Sequence, residues 1–359
     1  LVVLALGLVV LAGVVVYYVS TSGSGTAFDA ALEAIKRRDF RAASEHLDRH
    51  LAEYPDDVSA RLLAARTARR RGAHGQFLEH IEIYKKQKGD DNDRALEYKL
   101  YRIQQGDITH SDAILRSASA DPAAIESYLS LEALIETCLA GLQPRSGQAS
   151  RPPAGAADPI VGLARRGVDL WLNAQTAEAD QVQGLVWRGR VRAAAGDHDG
   201  AVSDFRAALE RNSEHFDARF HLAMTIGSGD PVEAASLLER LREAEPDNVM
   251  VSIALASSYR LLGRTPDARA ILIGLSERGM TDAWLLNELG LTELDAGRLA
   301  EAERHLRQTL AKRPDDLVAI LGMSRCMMLA GKAEDAAQFQ KRYEEVRTKA
   351  TGRSQASKP

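Results

Sequence analysis

With 359 residues and 45% apolar content this chain can bury a large core, yet only 5% of it is aromatic, which suits an extended helical array better than a compact enzyme domain. Lys and Arg (46) nearly balance Asp and Glu (50), the formal charge is −4, and no basic block reaches the scale of a nucleic-acid-binding surface, so nucleic acid is not an expected partner. Cys138 and Cys326 fall in helical stripes beside Leu134 and Met323 and read as small buried apolar residues, which leaves the redox compartment open.

In chain order, Leu1 to Val19 is uncharged and apolar apart from Tyr17 and Tyr18. As a helix it would reach roughly 28 Å at about 1.5 Å per residue, nearly a bilayer core. This predicts a single transmembrane or signal-anchor helix over 1–19, in preference to a cleaved signal peptide, whose apolar region is shorter. The repeats beyond it are expected on the periplasmic side, although Lys36, Arg37, Arg38 and Arg41 favour the opposite orientation. A flexible tether, STSGSGT, covers 20–26.

Residues 27–142 read as degenerate helical hairpins: Phe28 to Pro55, Val58 to Gly89 and Asn92 to Ala120, then a helix opened by Asp121-Pro122 and running to Leu142. The run QPRSGQASRPPAGAADP (143–159) is too rich in Pro, Gly and Ser for regular structure and is expected as an exposed loop. Asp158-Pro159 caps a helix over Ile160 to Asn173. From Val182 hairpins follow at 182–215, 216–248, 249–282, 283–316 and 317–348, nine in all, before a disordered tail.

The clearest hairpin is Ala283 to Pro314. Leu286, Leu289 and Leu294 share one helix face, Gly290 leaves room for a second helix, Gly297 stops the first, and Leu299, Ala302, Leu306 and Leu310 form the returning stripe. Gly263, Gly297 and Gly331 repeat every 34 residues, as do Ala268, Ala302 and Ala336, while Gly196 and Ala201 lie 67 residues before Gly263 and Ala268. In Trp284, Leu289, Gly290, Gly297, Ala302, Leu306 and Pro314 the chain resembles the tetratricopeptide repeat (TPR) family. That resemblance implies an all-α, right-handed superhelical solenoid whose first helices line a concave face.

No spacing points to catalysis or to a cofactor. His46 and His50 are four apart on a helix, but Leu47 stands where a zinc-protease motif needs Glu, so both read as surface histidines and no metal is expected. Asp56-Asp57, Asp90-Asp91 and Asp315-Asp316 read as caps for the helix that follows. Projected on the family's concave row, Arg190, Phe220, Met224, Met250, Arg260, Trp284, Asn287, Leu291 and Arg325 are the candidate partner contacts. They suit a protein or peptide segment with apolar anchors and some negative charge. The expectation is a non-enzymatic, membrane-anchored scaffold for cell-envelope assembly or secretion. The alternative is a non-catalytic subunit of an envelope glycosyltransferase or peptidoglycan-modifying complex. The sequence leaves the oligomeric state open.

Overall fold

The computed structural model describes residues 26–122, 124–142 and 158–356. Among them are eighteen α-helices and no strand, matching nine first-and-second pairs. The expected membrane helix (1–19) and all but the last residue of the tether lie outside the described residues, as do 143–157 of the expected loop. No helix among the described residues is long and apolar enough to cross a membrane.

Two compact units divide the chain. The first takes the described residues up to Cys138, with 163–184. It holds α1 (Thr26–Lys36), α2 (Phe40–Glu53), α3 (Val58–Arg70), α4 (His74–Lys86), α5 (Asp91–Gln104), α6 (Ser111–Ala120), most of α7 (Ile125–Leu142) and α8 (Pro159–Ala174), and the start of α9 (Glu178–Ala195). The second takes 139–162 and everything from Leu185. Its complete helices are α10 (His198–Arg211), α11 (Phe216–Ile226), α12 (Pro231–Ala244), α13 (Val249–Leu261), α14 (Thr265–Glu277), α15 (Ala283–Asp295), α16 (Leu299–Lys312), α17 (Leu317–Leu329) and α18 (Ala333–Ala356). The division passes through α7, α8 and α9.

Local chemistry explains where the helices start and stop. Asp57, Asp90 and Asp316 accept from backbone amides at the starts of α3, α5 and α17, as the paired carboxylates implied. Gly297 has φ 73°, which lets its amide bond Leu294 O at 3.0 Å and the next amide bond Glu293 O at 2.9 Å, closing α15. Gly290 is where α15 and α16 meet: a Cβ there would stand 2.7 Å from Leu306 Cγ. Buried leucines, among them Leu255, Leu272, Leu285 and Leu289, run from one pair to the next in the second unit. In the first unit Phe77, Ile81 and Tyr84 do this under the stacked ring of Tyr101, 4.9 Å from Phe77. Tyr98, bulky where the family places a small residue, directs its hydroxyl outward to Glu82 at 2.8 Å.

Three expectations change. The helix after Asp121-Pro122 begins only at Ile125, so Asp121 is not its cap. α18 continues to Ala356, into the expected tail, because no proline stops it there. His50 is not a surface residue: it is 4% exposed, Nε2 lies 2.9 Å from Asp57 Oδ2, and the rings of Phe28 and Tyr54 cover it at 5.0 Å each.

Candidate functional site

The first helices of the second unit carry apolar side chains that packing does not use. Among the described residues the exposed large apolar side chains are Met224 on α11, Met250 and Leu261 on α13, and Val318, Leu321, Met328 and Leu329 on α17, with only Val232, Leu78 and Tyr54 elsewhere. Such side chains normally scatter singly over a surface. On α17, Val318, Leu321, Arg325 and Met328 follow one another at helical spacing and share a face.

The candidate contacts separate into groups. Met224 and Met250 are 46% and 53% exposed. Phe220, Trp284 and Leu291 are half-buried: Phe220 stacks on Phe216 at 6.3 Å, Trp284 rests on the leucine core, and Leu291 leans on the cluster around Leu306. Arg260 and Arg325 are joined through Asp295, whose carboxylate accepts from Arg260 at 3.3 Å and from Arg325 at 2.9 Å. Arg260 also meets Glu288 at 3.3 Å. Burial raises the Glu288 carboxyl above its usual range, and Arg260 opposes that rise. The row is therefore an apolar strip crossed by an internally balanced ion network, not a line of unpaired cations.

Asn287 withdraws from the face. It is 5% exposed and donates through Nδ2 to Asp316 Oδ1 at 3.0 Å, tying α15 to the cap of α17. Leu261, Val318, Leu321, Met328 and Leu329 were missed, although the spacing that selected Arg325 passes through three of them.

Arg190 lines a cavity of about 400 Å³ with His198, Phe205, His221, Met224 and Thr225. His221 stacks on Phe205 at 5.9 Å, and burial, followed by the charge of Arg190, holds its imidazole down to about 3. Since the folded value lies below the unfolded one, His221 supports the second unit fully above about pH 6.5, and this support fades as pH falls toward 3. Urea midpoints measured from pH 7 to 4 should fall less steeply in His221→Gln than in the wild type.

Among the described residues no group of three or more His, Cys, Asp or Glu is arranged to hold a metal ion. Cys138 and Cys326 are buried free thiols.

Comparison with known proteins gives a consistent picture. A sequence profile described as tetratricopeptide repeat matches residues 225–285 and 293–349, and a second with that description matches 28–92 and 188–225. A TPR repeat-containing protein of Pseudomonas aeruginosa is 38% identical over 78 residues, 21% of this chain. The match spans only 13% of that protein's length. The crystal structure of a tetratricopeptide repeat protein from Parabacteroides merdae is similar at a TM-score of 0.52 and 16% identity, covering 70% of this chain and 92% of that one. A thermophilic TPR protein of Thermus thermophilus aligns over 48% of this chain and 97% of its own, at 23% identity and a TM-score of 0.42.

Proposed function

The chain belongs to the tetratricopeptide repeat family, and from that premise we propose that it is a non-enzymatic scaffold whose first-helix face in the second unit captures a protein segment through apolar anchors. One observation carries this reading: the exposed methionines, leucines and valine gather on α11, α13 and α17, where a partner would cover them. Methionine suits the task because its unbranched, polarizable side chain adapts to partners of different shape. With Arg260 and Arg325 already balanced by Glu288 and Asp295, apolar contact supplies the affinity and charge adjusts register.

The proposal extends to location. The uncharged residues 1–19 would hold the scaffold at a membrane, with its repeats on the periplasmic side and a role in envelope assembly or secretion.

The test is a crosslinking pull-down from membranes with the wild type and with Met250→Asp and Met328→Asp. Both positions are exposed, so helicity should be unchanged by circular dichroism. Capture is expected to fall at least about tenfold in each, the ratio that ~1.4 kcal/mol produces. Full capture by both variants would show that the partner docks elsewhere. Protease accessibility of the repeats from either side of the membrane tests the location.

A further inference from the structure

The α11–α12 hairpin departs from the ones that follow it, and the difference shows at its turn. α13, α15 and α17 are each 13 residues long and end in the turns 262–264, 296–298 and 330–332, whose glycines take φ of 73° to 74°. α11 has only 11 residues and stops at Ile226. Its turn, 227–230, is longer: Gly227 keeps φ −51°, and the amides of Gly229 and Asp230 both bond Ile226 O, at 2.8 and 2.7 Å. Where the missing end of α11 would stand, Thr225 and Ser228 border open space on two sides.

One side is the cavity of about 400 Å³, within the range of roughly 300–1,000 Å³ usual for small-molecule sites. Its walls are apolar: Leu139 and Leu142 from the end of α7, Ala193 from α9, Phe205 from α10 and Met224 from α11. Phe205 is fully buried and seated on Gly189, where a Cβ would stand 2.5 Å from its ring, so this wall is formed in advance. Among the described residues lining the cavity are one arginine, Arg190, and no carboxylate. The Arg190 guanidinium carries five N–H donors, enough to serve a protein acceptor and a ligand together. Thr225 spends its hydroxyl proton on His221 O at 2.7 Å. The hollow on the other side, about 910 Å³, shares His198, Thr225 and Ser228 but adds Asp199, Glu210 and Asp230. Its arginine, Arg206, is held by Glu233 at 2.9 Å, so that side disfavours an anion.

We propose that the cavity between α9, α10 and α11 binds a small monocarboxylic acid with a compact aromatic or branched apolar body, its carboxylate on Arg190 and its body against Phe205 and Met224. A planar guanidinium matches a carboxylate with two parallel hydrogen bonds. A single lining arginine balances one negative charge, whereas a phosphate monoester would bring a second into apolar surroundings. Phe205 and Met224 offer an aromatic ring stacking and sulfur contacts. The site stands apart from partner capture: of the exposed apolar side chains on α11, α13 and α17, only Met224 reaches it.

Titration of the full chain, carbon-13-labelled at histidine, with phenylacetate near neutral pH tests the site. The His221 ring resonances should shift to saturation with a dissociation constant below about 1 mM, while those of His305 on α16 stay in place. Phenylacetamide, the same body without the charge, should bind at least about tenfold more weakly, as should phenylacetate to Arg190→Gln. Met250→Asp, which lies outside the cavity, should bind phenylacetate as the wild type does whatever its effect on partner capture. Equal binding of acid and amide, or no saturation by about 10 mM phenylacetate, would overturn the proposal. Should Arg190→Gln fail to fold, the comparison of acid with amide on the wild type decides.

Discussion

Replacing Glu132 by alanine is expected to destabilise the first unit by about 3–5 kcal/mol, the usual cost of stripping the partner from a buried charge. This one carboxylate receives Arg38 on one oxygen and Arg70 on the other, and it is 1% exposed. Its loss leaves two guanidinium groups, 9% and 11% exposed, with Asp180 still hydrogen-bonded to Arg38. Glu136 supplies partial relief by ionising at a lower pH once Glu132 no longer repels it, so the loss should be smaller at pH 8 than at pH 6. Glu132→Gln should cost less, because an amide oxygen still accepts one of the two donors. Urea denaturation followed by circular dichroism measures both, and the early transition should report the first unit. An unchanged midpoint would mean that water already solvates both arginines.

The same cluster shows why part of the fold was hidden in the sequence. The hairpins were legible because each depends on neighbours in the chain: a glycine to end a helix, a small residue such as Gly290 for close approach, an aspartate to cap the next start. Arg38 looked like one of four positive charges beside a tether, since nothing within a repeat length reveals that Tyr128, Glu132 and Asp180 surround it. His50 was misjudged for a related reason: its cover comes from Phe28 in the preceding helix and from the turn at Tyr54. On the proposed docking face, the exposure of Met224 and Met250 could be read from their offset in the repeat, but the burial of Asn287 could not, because its partner Asp316 belongs to the next pair. The run LVAILGMSRCMML is apolar on most sides, and Arg325 is the charged residue that marks the face on which Leu321 and Met328 turn outward while Met323 and Met327 are buried.

Leu306→Ala is expected to remove about 3–4 kcal/mol from the second unit, within the range for large-to-small changes in a closed core. Leu306 is fully buried, and it fills the space left by two glycines on different helices. A Cβ on Gly290 of α15 would stand 2.7 Å from its Cγ, and one on Gly322 of α17 would stand 3.1 Å from each of its methyl carbons. With no side chain at either position to move in, the hole would persist. In a stack the damage stays at the interface where it is made, and Leu306 lies against Gly322 of the α17–α18 pair. Hydrogen exchange should therefore accelerate over 317–346 before it does over 249–277. That pair also presents Val318, Leu321, Met328 and Leu329, so partner capture should weaken with the loss of local order, while Leu306→Met, which keeps the volume at a cost below about 1.5 kcal/mol, preserves both. Wild-type capture by Leu306→Ala at a temperature where 317–346 exchanges freely would remove α17 from the docking face and leave Met224 and Met250 to carry it.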